Sequence, residues 1–199
     1  MFTIYTMQSL ITLLQTTNLK TKMFISHLTI CIVEILSRPC FSRFVSVNSG
    51  IPLWFRCFKG KENPEAFKTS LIIEGISYVK SLFKNKDCNL IFLADRWFPN
   101  CETMDYIDSI GATYCIRAKG NTLIHIDNFE YADVVGSITE IEPYLTKSKF
   151  FDSVQITKNN FQTKLAVSKA ITHNEPFFIL TNGNTREAIK QYGYRFRIY

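Results

Sequence analysis

The sequence lacks the short motifs that announce nucleotide, acyl-transfer or zinc chemistry. There is no GxGxxG, no GxxxxGK[ST], no GxSxG and no HExxH. Each of these fixes a phosphate cradle, an exposed nucleophile or a pair of metal-binding imidazoles, so a small-molecule enzyme finds little footing. Histidine is scarce: His27, His125 and His173 are scattered and read as surface or core residues. Ser/His/Asp or Cys/His catalysis stays open on spacing alone, with nothing pointing to it. The six cysteines, at 31, 40, 57, 88, 101 and 115, form no CxxC and no metal-type cluster. Cys57, Cys88 and Cys115 fall inside apolar runs, where a thiol behaves as a small hydrophobe. That usage fits a reducing compartment, the cytoplasm, better than a disulfide framework. Long apolar runs are absent too. Residues 1–19 carry no charge but are rich in Thr, Gln, Ser and Asn, and Phe24–Val33 is interrupted by His27 and ends at Glu34. A spanning helix needs ~18 apolar residues and a secretion signal a basic start, so no membrane role is expected.

What is present is a globular composition: 199 residues, 46% hydrophobic and 20% charged, with 17 Phe and 9 Tyr. One ordinary domain, or a domain with a small appendage, can be built from it. The net charge of +6 is unevenly spread. Residues 1–86 hold 11 bases and 4 acids, residues 87–146 hold 3 and 10, and residues 147–199 hold 9 and 3. Basic flanks around an acidic middle suit a polyanion such as double-stranded DNA, whose phosphates supply most non-specific affinity. They equally suit a solvated surface.

Apolar spacing reads as helix over 4–19 and 24–37, the second stretch ambiguous because of Ile30, Ile32 and Val33. Pro39 in LSRPCFSRF should end any helix before it. PLWFRCF (52–58) is strand-like, and Asn63-Pro64 opens a helix running to about Phe83. CNLIFLAD (88–95) reads as a buried, parallel central strand. Residues 101–110 form an amphipathic helix closed by Gly111, and ATYCIRAK (112–119) is another strand. The alternation is α/β. Beyond it, TLIHI and Val134–Leu145 are short elements, and FDSVQITK and QTKLAVSK form a hairpin about Asn159-Asn160. EPFFILTN is a strand, and a last helix starts with Thr185 as its expected N-cap. A helical remnant over 1–40 and a partial α/β domain over 41–199, with a β-rich insertion at about 120–175, is the expected division.

Asp95 ends the central strand. In an open α/β sheet, ligands bind outside the carboxyl ends of parallel strands, and a carboxylate there can ligate Mg²⁺. The plainer alternative is that it caps the following helix or pairs with Arg96. LADRWF, then IRAKGN some twenty residues on, then AIKQYGYRF after a β-rich segment, resembles the DDE-type transposases of bacterial insertion sequences. The resemblance spans roughly residues 50–199 and is narrower for the cut-and-paste group with a tyrosine–arginine–glutamate–lysine signature. It implies a ribonuclease H-like core with a β-rich insertion, and metal-dependent DNA strand cleavage and transfer using Mg²⁺ or Mn²⁺. Asp95 matches the second catalytic acid, a metal ligand. Tyr192 and Arg195 match the signature tyrosine and arginine, beside the active site and near DNA. Arg117 and Lys119 match a basic pair that, on a strand, would share a face. Self-association is implied as well.

The match has gaps. No aspartate precedes Asp87, and Glu34 is the only acid before residue 62, so the first catalytic acid has no counterpart. The third would fall at Tyr199 or beyond, and the signature lysine is missing. One acid of three remains. These gaps read as a truncated copy with its first core strand disrupted at LSRPCFSRF, leaving a transposase or nuclease activity that is catalytically incomplete. The alternative reading is a non-catalytic DNA-binding remnant.

Overall fold

The computed structural model describes residues 27–35, 40–47, 52–58, 69–84, 88–96, 100–129, 132–144, 148–157, 160–168 and 176–197. The helix expected over 4–19, the Asn63-Pro64 helix start, Lys158, Lys169, His173 and Tyr199 lie outside them. The described chain is mixed α/β: one ten-stranded sheet with few helices, its strands in the spatial order Pro52–Phe58, Cys40–Ser46, His27–Ile35, Asn89–Ala94, Thr113–Arg117, Phe177–Thr181, Phe161–Ser168, Lys149–Ile156, Leu123–Phe129 and Ala132–Ser137.

The first three strands overturn two expectations. His27–Ile35 (β1) is a strand and not a helix; Cys40–Ser46 (β2) and Pro52–Phe58 (β3) follow it as an antiparallel meander. The nine-residue run HLTICIVEI is apolar on both a helical and an alternating count, and its β-branched Thr, Ile and Val favour the pleated form. β1 also pairs in parallel with Asn89–Ala94 (β4), with Ile32 opposite Ala94. The early core strand expected to be disrupted is therefore in place. LSRPCFSRF marks the passage from β1 into β2.

From β4 onward the expected alternation holds. Thr69–Leu82 (α1) precedes β4, and Cys101–Ser109 (α2) joins β4 to its parallel neighbour Thr113–Arg117 (β5). α2 begins at Asn100, whose side chain accepts from Thr103 N at 2.7 Å. It stops where Gly111 takes a φ of +67°, a left-handed conformation that glycine adopts without a Cβ penalty.

The segment after β5 does not form a separate body. Leu123–Phe129 (β6), Ala132–Ser137 (β7), Lys149–Ile156 (β8) and Phe161–Ser168 (β9) extend the same sheet. Phe177–Thr181 (β10) runs antiparallel to both β5 and β9 and welds the two halves together. The β8–β9 turn carries Asn160 at a φ of 49°, a value asparagine tolerates better than most residues.

Strand alternation divides the core. Leu90, Phe92, Ala94, Tyr114 and Ile116 face α1 and α2, packing on Ile72, Ile76, Met104 and Ile107. Ile91, Leu93, Cys115 and Ile179 face the opposite side, covered by Thr185–Gly193 (α3) through Ala188 and Tyr192. The N-cap of α3 is Asn184, not Thr185: Asn184 Oδ1 accepts from Arg186 N at 2.9 Å. Thr185 is buried and donates to Asp152 Oδ1 at 3.1 Å. None of the described helices is long and apolar enough to cross a membrane.

Candidate functional site at the end of β4

β4 alternates between the two faces, so Asp95, following Ala94, falls on the side of Ile91 and Leu93, beneath α3. There it meets two residues about a hundred positions away. Arg195 Nη2 donates to Asp95 Oδ2 at 3.1 Å, and the Tyr192 hydroxyl donates to Oδ1 at 3.5 Å. The Arg96 backbone N–H also donates to Oδ1, at 2.8 Å. The Asp95 side chain keeps 25% of its exposure and that of Arg195 16%. The pair is thus half-buried, where effective screening is weaker than in water.

The geometry follows from the sequence of the last segment. α3 lays Ala188 and Tyr192, four residues apart on one helical face, against the sheet. A short 3-10 turn, Tyr194–Arg197, then directs Arg195 toward the end of β4. Tyr192 is 3% exposed. Its ring lies 6.2 Å from that of Phe177 on β10 and 6.0 Å, edge-on, from that of Phe196. Phe196 is half exposed.

Arg117 ends β5 on the same face, its guanidinium carbon 4.7 Å from the Phe177 ring centroid. Arg195 stands 5.9 Å from the Phe196 centroid. Cations over aromatic faces gain ~0.5–1 kcal/mol at exposed sites. Lys119 does not share the strand with Arg117, because β5 ends at Arg117; it is exposed, in a turn closed by Thr122 N donating to Lys119 O at 3.0 Å. Four of the five residues singled out by sequence therefore gather about one aromatic cluster; Lys119 lies two residues beyond the end of β5. Phe177 and Phe196, which knit the cluster, were not singled out; their only sequence signal is an aromatic next to a base or within an apolar strand.

The resemblance implies a divalent metal at this donor set. Among the described residues the set holds the Asp95 carboxylate, which faces a guanidinium. Among the described residues, no three His, Cys, Asp or Glu converge to hold a metal ion. The described residues at this strand end do not fit a resident Mg²⁺ or Mn²⁺.

A polar cleft of about 530 Å³ opens at the other end of β5, lined by Asp105, Asp108, Asp152, Lys164 and Asn182 among others. Several of its polar groups are internally engaged. Asn182 Nδ2 donates to Asp108 Oδ1 at 2.7 Å, and Lys164 Nζ donates to Gly183 O at 3.2 Å.

No family model matches the chain, and no curated protein does. Among solved structures it is similar to Marinitoga piezophila Argonaute, determined in complex with a 5′-OH guide RNA and target DNA. The identity is 13% and the TM-score 0.38, over 88% of this chain and 26% of that one, so the chain spans about a quarter of that protein's length.

Proposed function

We propose that this chain is a transposase-family protein of DNA transposition, built on a ribonuclease H-like core, that binds double-stranded DNA and is catalytically incomplete. One observation carries the reading: Tyr192 and Arg195, the two signature positions of the resemblance, both contact the carboxylate of Asp95, its strand-end acid. The parallel β1 beside β4, and a β-rich segment between β5 and the last helix, support the same reading. The proposed chemistry of an intact relative is in-line attack on a phosphodiester, with divalent metals activating the nucleophile and stabilising the leaving oxygen. Here a lone carboxylate engaged by Arg195 supplies neither metal pair nor general base, so strand transfer is absent.

DNA binding would rest on Lys119, Arg117 and the other bases of the flanking segments, with self-association as in paired-end assemblies. Cys88, Cys101 and Cys115 are free thiols, in keeping with a cytoplasmic protein. Two assays test the proposal together. A nicking assay with MgCl₂ or MnCl₂ should give no Asp95-dependent cleavage. A mobility-shift titration on duplex DNA should show affinity falling steeply with salt; a flat response removes the DNA-binding reading.

A further inference from the structure

The surroundings of Asp95 satisfy a carboxylate with no metal at all. Its Oδ2 receives Arg195 at 3.1 Å; its Oδ1 receives the Arg96 N–H at 2.8 Å and the Tyr192 hydroxyl at 3.5 Å. Mg²⁺ demands near-octahedral oxygen at ~2.0–2.1 Å, and a guanidinium already at hydrogen-bond distance would repel it. The donors also come from two distant parts of the chain: Arg96 belongs to the strand end, whereas Tyr192 and Arg195 belong to α3 and the turn after it. The carboxylate therefore joins the end of β4 to the end of α3, over a buried tyrosine.

We infer that Asp95 is a structural counter-ion that docks the Tyr192–Phe196 segment onto β4, and not a divalent-cation ligand. This deepens the reading above by removing Asp95 from metal chemistry, but does not depend on DNA binding. Loss of one partner leaves the other charge half-buried and unmatched, which is more damaging than loss of both.

The test uses the full chain as Asp95→Asn, Arg195→Gln and the double variant, each melted with and without MgCl₂ or MnCl₂. Each single substitution should lower Tm by several degrees, at about 2–4 °C per 1 kcal/mol for a domain of this size. The double variant should melt no lower than the worse single. Millimolar MnCl₂ should leave the unaltered chain within about 1 °C, since a ligand that binds only the folded state must raise Tm. A Mn²⁺-dependent rise that Asp95→Asn abolishes overturns the inference, and so do Tm losses that simply add. The metal arm is decided on the unaltered chain by calorimetric titration with MnCl₂ even if a variant fails to fold: heat of specific one-site binding refutes the inference, and its absence upholds it. Failure of DNA binding would remove the functional proposal and leave these outcomes untouched.

Discussion

Gly75→Ala tests whether β2 lies beneath α1, the part of the fold that sequence periodicity missed. Gly75 is buried mid-helix, and a Cβ built there would meet the Phe44 ring at Cε2, at Cζ (2.9 Å) and at Cδ2 (3.0 Å). That ring has little room to retreat. It is fully buried, edge-on to Trp54 at 5.4 Å and to Phe92 at 6.4 Å. Overpacking a filled core costs about 1–3 kcal/mol. Alanine returns about 1 kcal/mol of helix propensity relative to glycine. With three ring atoms at or inside 3.0 Å, the upper half of the overpacking range applies, giving a net loss of about 1–2 kcal/mol. At about 2–4 °C per kcal/mol the Tm should drop by roughly 4 °C in a calorimetric melt. Phe44→Leu in the same chain should relieve the clash, so that the double variant loses less than the two singles summed. A Tm that rises in Gly75→Ala, as for an exposed helical glycine, would refute the docking of α1 on β2.

Three further outcomes follow from the site and the core. Lys119→Ala, at an exposed turn, should weaken duplex binding and reduce its salt slope by about one, as read by mobility shift. Arg195→Gln should leave that slope unchanged while lowering Tm, because its guanidinium faces Asp95 and not solvent. Burial pushes the Cys115 thiol from 9.0 up to about 12 and the Tyr114 phenol from 10.0 up to about 12. Both groups are neutral below their pKa, so the unfolded chain releases these protons first. The stability they contribute is complete below about pH 9 and is lost as the pH climbs towards 12. Tyr114→Phe should flatten the alkaline part of a denaturation-versus-pH curve, and iodoacetamide at pH 8 should modify Cys88 and Cys101 well before Cys115.

The middle of the chain was legible because its signals agree. CNLIFLAD is a continuous apolar run of strand length; the helix after it has a cap residue at its start and Gly111 at its stop. The β8–β9 hairpin is marked by asparagines between two alternating runs. Where two signals compete, sequence alone could not decide. HLTICIVEI satisfies both periods, and only pairing with β2 and β4 selects the strand. Thr185 was expected to cap the last helix, but Asn184 does so because the Thr185 hydroxyl is spent on Asp152 of β8. Lys119 was assigned to a strand that stops two residues short, at Arg117.

The site was legible in position but not in sign. An acid ending a buried strand was readable, and the resemblance brought Tyr192 and Arg195 to it from the far end of the chain. Whether such a carboxylate serves a cation that comes and goes or a guanidinium that stays depends on how many acids share its face. That number is set by register, which composition does not carry. On β4 the alternation is fixed by packing: Phe92 and Ala94 lie against the helices α1 and α2, Ile91 and Leu93 beneath α3. Asp95, the next residue in the odd-numbered set, is thereby delivered to the side of α3 and the turn after it, where Arg195 balances its charge.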